Sequence, residues 1–184
     1  MGLYYLHSAW AAMLFYQMGM AATLWRRRFD WSLLWRGWHM GHGLLLALVA
    51  GASGALLWLF KGVWMADPLS LDRLLQQFGL SGSRFPIFLI YFSIVTPILE
   101  EAFWRGLLGS TSAQIASTDL LFAGYHVLVL AAFTSIPLAV LGGGGLTIAA
   151  WLWRRQYVRH QGLAVPVISH FAADLSIMLA VHFL

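Results

Sequence analysis

The 184 residues include no cysteine, so disulfides, thiolate nucleophiles and cysteine-based metal sites are excluded. Charge is almost as scarce: 10% of the residues are Asp, Glu, Lys or Arg, against about 25% in a soluble globular domain. No Ser stands in a Gly-x-Ser-x-Gly context and no His-Glu-x-x-His occurs, so the usual sequence marks of a serine hydrolase and of a helix-borne zinc protease are missing. Between Asp119 and Trp153 there is no Lys, Arg or Glu at all. What is present is apolar: 60% of the chain is hydrophobic, with a mean hydropathy of +0.74. At about 20 residues per crossing, there is room for roughly six spans and short loops. The expected fold class is therefore all-α, a polytopic membrane helical bundle of about six transmembrane helices plus one short amphipathic interfacial helix. It forms a single membrane-embedded domain over 1–184, with two leading spans and the interfacial helix in 1–84 and the polar motifs in 85–184.

The formal charge of +4 and the pI near 9.9 do not point to nucleic acid, because the basic residues cluster at the ends of apolar runs. Leu3 to Trp25 is the first such run, and its positive charge follows it as Arg26-Arg27-Arg28 rather than preceding it, which reads as a retained first span. Trp25, Trp31, Trp35 and Trp38 surround these arginines as an interfacial belt. His39 and His42, three apart, read as an interfacial pair at the start of span two rather than as metal ligands. Span two runs from about Gly43 to Met65, and its Gly51 to Ala55 stretch of small residues suits close helix packing. Asp67-Pro68 is a helix start. The helix that follows presents Leu71, Leu74, Leu75 and Phe78 on one face and is too short to cross, so it is expected to lie on the outer surface. Span three covers about Phe85 to Leu108. The long run after Asp119 divides at Thr134-Ser135-Ile136-Pro137, which leaves Gly142 to Gly145 inside the fifth helix, and the last span runs from about Gly162 to Leu184. With the N-terminus outside, Arg26, Arg27, Arg28, Arg36, Arg105, Arg154, Arg155 and Arg159 fall on the cytoplasmic side, and only Lys61, Arg73 and Arg84 on the other.

Against this background, Glu100, Glu101, Arg105, His126, His170 and Asp174 stand out. An ionisable group at the middle of a span costs about 2.5–3.5 kcal/mol on insertion scales, so such groups face the bundle interior and serve a purpose. Glu100 lies five residues before Arg105, roughly 7 Å along a helix, while His126 lies seven after Asp119 and His170 eight after Gly162, each roughly 11 Å. Three helices thus bring polar groups to one layer near the cytoplasmic face. Glu101 and Arg105 are spaced to pair along the helix, and Glu100 points about 100° away. Phe122 and His126 share a face, so the ring can wall the imidazole; His170 and Asp174 share another. Three chemistries use such a set. One is water activation by carboxylate and imidazole, with the remaining groups on an oxyanion. The second is a zinc site of Glu, His and His. The third is a proton relay or ion-coupled transporter, which a small chain without an inverted repeat fits poorly.

The order Glu100-Glu101-x-x-x-Arg105, then Phe122-x-x-x-His126, then His170-x-x-x-Asp174 resembles the CPBP family of CAAX-prenyl endopeptidases and bacteriocin-processing or immunity proteins. Arg159 to His170 is similar to that family's approach to its third motif. The resemblance covers about Phe85 to the C-terminus. It implies an intramembrane glutamate-type endopeptidase that acts near the C-terminal tail of a membrane-associated or lipidated protein, either CAAX-like or a bacterial C-terminal sorting signal of the kind small myxosortase-like members take. It further implies catalytic Glu100 activating a water held with His126, His170 and Asp174 at the oxyanion, and Glu101, Arg105 and Phe122 as supports. No cofactor and no metal are implied; the partners are the tail substrate and the lipid bilayer of a bacterial inner membrane. Asp174 departs from the Asn of the family's CAAX peptidases. An amide donates to an oxyanion, whereas a carboxyl does so only when protonated and otherwise serves to orient His170. A non-enzymatic immunity or membrane-chaperone protein, or a zinc-dependent membrane peptidase, is the alternative.

Overall fold

The structure, a computed structural model, describes residues 7–64 and 68–184. Eight α-helices and no strand occur among the described residues. In chain order these are α1 (Ala9–Arg26), α2 (Met40–Leu59), α3 (Lys61–Trp64), α4 (Pro68–Gln77), α5 (Arg84–Glu100), α6 (Ser117–Leu130), α7 (Ile136–His160) and α8 (Ala164–His182). Four stretches are long and apolar enough to cross a bilayer: α2, α5 with its continuation to Leu107, α7 and α8. The shorter apolar α6, 14 residues, and the 18-residue α1 complete the bundle. The division at Thr134 to Pro137 and the placement of Gly142 to Gly145 inside a helix both hold, since α7 begins at Ile136 with proline in its first turn.

The helices form where the sequence permits. Ser8 caps α1 by accepting the Ala11 amide at 3.2 Å, and the buried Met13, Gln17, Met20 and Leu24 recur at helical spacing along its inner face. Small residues set the contact between α2 and α8. A side chain at Gly54 would lie 2.1 Å from the Ser176 carbonyl oxygen, and the close approach allows the Gly54 amide to donate to Ser176 Oγ at 3.2 Å. The α1–α2 connection folds back onto the start of α8: Leu163 and Ala164 amides donate to the Leu33 and Arg36 carbonyls at 2.8 and 3.1 Å. Gly37, at φ +76°, makes that contact possible, because a Cβ there would meet Gly162 and His160 at 2.9 Å.

Two expectations change. Asp67 lies outside the described residues; the helix that starts at Pro68 is present, but its apolar face meets protein rather than a lipid interface. Leu71, Leu74, Leu75 and Phe78 pack inward, the last three onto one end of the bundle with Met13, Phe85, Phe88 and Leu89. The face that periodicity marks as apolar finds protein as its partner. Arg105 and Arg154 are also not interfacial charges, since both are fully buried. The other six arginines at that end, Arg26, Arg27, Arg28, Arg36, Arg155 and Arg159, are exposed. Two packing clusters hold the polar centre: Leu24, Leu34, Ala102 and Leu163, and Phe122, Ala150 and Trp153. Large apolar side chains such as Phe15, Leu48, Ile90, Leu121 and Leu141 cover the outside, as a lipid-facing surface requires.

Candidate active site

The site begins where α5 changes winding. Pro97 brings no amide hydrogen to the helix, and beyond it Glu101–Leu107 is wound as a π-helix, with the Leu108 amide reaching the Phe103 carbonyl five residues back at 3.0 Å. This wider turn carries Glu101 and Arg105, with Glu100 at its threshold.

The two glutamates face different partners, and both are completely buried. Glu101 Oε1 accepts from His170 Nδ1–H at 2.8 Å and lies 3.2 Å from Arg105 Nη1. The guanidinium stacks 4.0 Å above the Phe122 ring and 5.0 Å from that of Trp153. Neither of its Nη atoms has a well-directed hydrogen bond, so the Glu101 charge and the two ring faces hold it. The expectation for Glu101 was a helix-end support paired with Arg105; it also orients His170. Glu100 accepts the Tyr125 hydroxyl on Oε1 at 3.2 Å, while its Oε2 has no hydrogen-bond partner and faces His170 Nε2 at 3.8 Å.

The imidazoles have defined tautomers. His126 lies on α6, and its Nδ1 is 2.8 Å from the Phe122 carbonyl. A carbonyl only accepts, so Nδ1 carries the hydrogen and the neutral ring keeps a lone pair on Nε2. The Phe122 ring packs against His126 at 4.4 Å between centroids, forming the wall its spacing suggested. It also meets His170 edge-on at 6.0 Å, so one aromatic ring touches both histidines and Arg105. His170 stacks on Trp153 at 4.5 Å and 17°, and Trp153 Nε1–H donates to Ser169 Oγ at 2.8 Å, which fixes the indole beneath the ring. With Nδ1 committed to Glu101, His170 Nε2 lies 3.6 Å from Asp174 Oδ1; Asp174 Oδ2 is buried without a partner. The structure therefore gathers Glu100, Glu101, Arg105, Phe122, His126, His170 and Asp174 around one buried centre.

Several residues near the site escape a sequence reading. The rings of Tyr125 and Tyr16 pack at a tilt with centroids 4.6 Å apart, and Trp104 Nε1–H donates to the Tyr16 hydroxyl at 2.9 Å. In an apolar run such tyrosines look like core; only their hydroxyl, which needs a buried partner, marks them out. Arg154 reads as a topological charge, yet it is the hub of a clamp. It donates to both oxygens of Asp119 at 2.7–3.1 Å and to the carbonyls of Ser110, Ser112 and Gln114 at 2.6–3.0 Å, so it holds the loop after the π-helix. His39 and His42 are joined by His160, with ring centroids 4.6–5.4 Å apart. Among the described residues, no three His, Asp or Glu side chains converge in a metal-holding geometry, either there or at the central site.

A family model for the type II CAAX prenyl endopeptidase, Rce1-like, matches residues 82–176, just over half of the chain and the whole stretch that carries the three polar motifs. No curated protein and no solved structure matches the chain.

Proposed function

The chain belongs to the Rce1-like family of type II CAAX prenyl endopeptidases, and from that premise we propose that it is an intramembrane glutamate-type endopeptidase. It is a membrane protein of a protease family; the finer reading is that it cuts near the C-terminal tail of a membrane-associated protein, CAAX-like or a sorting signal. The observation that carries this reading is the Glu100 carboxylate, buried, with one oxygen held by Tyr125 and the other turned unpartnered toward His170. In this reading a water gives its proton to Glu100 Oε2 while the His126 Nε2 lone pair accepts its second hydrogen. The oxygen attacks the scissile carbonyl, and the carbonyl π-pair moves onto its oxygen. His170 stabilises that oxyanion through Nε2–H when it carries its second proton, Nδ1–H remaining on Glu101. Glu100 then returns its proton to the departing amine as the C–N bond breaks, which restores the starting carboxylate.

The departure at Asp174 fits this scheme. An anionic carboxylate repels an oxyanion, but at 3.6 Å from His170 Nε2 it can orient the ring that donates to one. Asp174 in this reading acts through His170. The six exposed arginines at the end of the bundle where α1 ends and α8 begins support an orientation in this reading. That end faces the cytoplasm of a bacterial inner membrane, with the N-terminus outside and the site nearer the cytoplasmic face.

Mass spectrometry of membrane-protein C-termini from cells with and without this protein tests the reading. Trimmed tails that disappear in cells carrying Glu100→Gln support it. Identical tails in all three cultures, with the Glu100→Gln protein fully functional in cells, point instead to an immunity or chaperone role. Activity lost to a chelator and restored by zinc selects the zinc peptidase.

A further inference from the structure

We infer that two phenols, Tyr125 of α6 and Tyr16 of α1, position the Glu100 carboxylate, so that the leading helix, which lies outside the family-matched residues, completes the site. This rests on the endopeptidase reading of Glu100. The terminal torsion of a glutamate is broad and roughly two-fold, so nothing intrinsic to the side chain determines which oxygen faces the reacting water. Tyr125 removes the ambiguity by donating to Oε1 at 3.2 Å, which leaves Oε2 toward His170 Nε2 at 3.8 Å.

Tyr125 is itself held in place. Its ring packs at a tilt against Tyr16 at 4.6 Å and 32° and against His126 at 4.3 Å and 58°. Tyr16 accepts the Trp104 indole N–H at 2.9 Å, which fixes the phenol whose ring packs on Tyr125. Trp104 stands on the same π-helical turn as Glu101 and Arg105. A chain of contacts thus runs from the π-helix through Tyr16 of α1 and the Tyr125 ring to the carboxylate whose backbone begins that turn. A buried tyrosine hydroxyl needs a hydrogen-bond partner; that of Tyr125 turns inward to a carboxylate, and that of Tyr16 is held by Trp104 beside it. Tyr16 and Tyr125 act through Glu100 and are positioning residues.

The test uses the full chain in proteoliposomes and reads two properties, the carboxyl infrared band that is lost in Glu100→Gln and the cleavage kinetics of a tail peptide. Tyr125→Phe and Tyr16→Phe are expected to shift that band. Tyr125→Phe should lower kcat by about 10- to 100-fold, the weight of a hydrogen bond to a charged group, with KM nearly unchanged. A 3-fluorotyrosine at position 125 keeps the volume and strengthens the donor, and it should move the band in the opposite sense even if the Phe variant unfolds. An unmoved band in all three proteins, or wild-type kcat in a folded Tyr125→Phe, overturns the inference. A shifted band in a protein that cleaves nothing upholds the positioning and removes the endopeptidase reading instead.

Discussion

Replacing each of the adjacent glutamates by its isosteric amide separates their roles. Glu101 Oε1 serves His170 Nδ1–H at 2.8 Å and Arg105 Nη1 at 3.2 Å, all within a fully buried cluster. In Glu101→Gln the amide oxygen can still accept from His170, but Arg105 loses its Glu101 counter-charge and keeps the rings of Phe122 and Trp153. Breaking a buried pair by removing one partner costs about 3–5 kcal/mol, and because the ring contacts persist the lower end applies, about 3 kcal/mol. For a chain of this length that lowers the melting temperature by roughly 6–12 °C. Glu100→Gln behaves oppositely. The amide oxygen still accepts from Tyr125, and no cation is orphaned, because His170 Nε2 at 3.8 Å is not hydrogen-bonded to it. Stability should stay within about 1 kcal/mol, while loss of the general base lowers kcat by about 10²- to 10⁴-fold. Thermal unfolding in one detergent, paired with peptide cleavage below the transition, reads both. Equal melting temperatures for the two variants, or a Glu101→Gln protein as stable as wild type, would refute the division of roles.

Other outcomes follow from the same geometry. Arg154→Met leaves Asp119 and three loop carbonyls without their shared donor, so it should lose about 3–5 kcal/mol and open the 110–116 loop to protease, read by melting and limited proteolysis. Gly54→Val places a side chain where a Cβ already meets the Ser176 carbonyl oxygen at 2.1 Å, and forcing α2 from α8 should cost at least about 1–3 kcal/mol, measured as a fall in melting temperature or in folded yield. Arg105→Lys keeps the charge but gives up the planar stack on Phe122, so activity should drop while Arg105→Met drops further, as a rate series would show. Asp30 accepts from the hydroxyl and amide of Ser32 and faces Arg36, and these hold its carboxyl below the ordinary range. Its support for the turn Trp31–Leu34 is therefore present above the usual Asp value of about 3.9 and fades as pH falls below it, a change Trp31 fluorescence should follow.

The parts of this site that sequence reveals are those set by local spacing. Glu101 with Arg105, Phe122 with His126 and His170 with Asp174 are each four apart, and helical geometry alone makes them neighbours. The break before Pro137 is equally local. Contacts between distant segments leave no such mark. Arg154 meets Asp119 across 35 residues, and at the end of an apolar run an arginine that clamps a loop looks the same as one that faces lipid headgroups. Tyr16 meets Tyr125 across 109 residues, from a helix whose sequence gives no sign of that partner. The apolar face of α4 is plain in the sequence, but whether lipid or protein covers it depends on how the chain returns to the bundle. The π-winding of Glu101–Leu107 had one local hint, Pro97, whose usual consequence is a kink.

The central claim, that Glu100 activates water for peptide-bond cleavage, is tested most directly by the initial rate at which purified protein in proteoliposomes cleaves a prenylated C-terminal tail peptide, wild type beside Glu100→Gln. The account expects cleavage by the wild type and a rate at least about 10²-fold lower in the variant, with both proteins melting at the same temperature. Cleavage by a folded Glu100→Gln protein at the wild-type rate would contradict it.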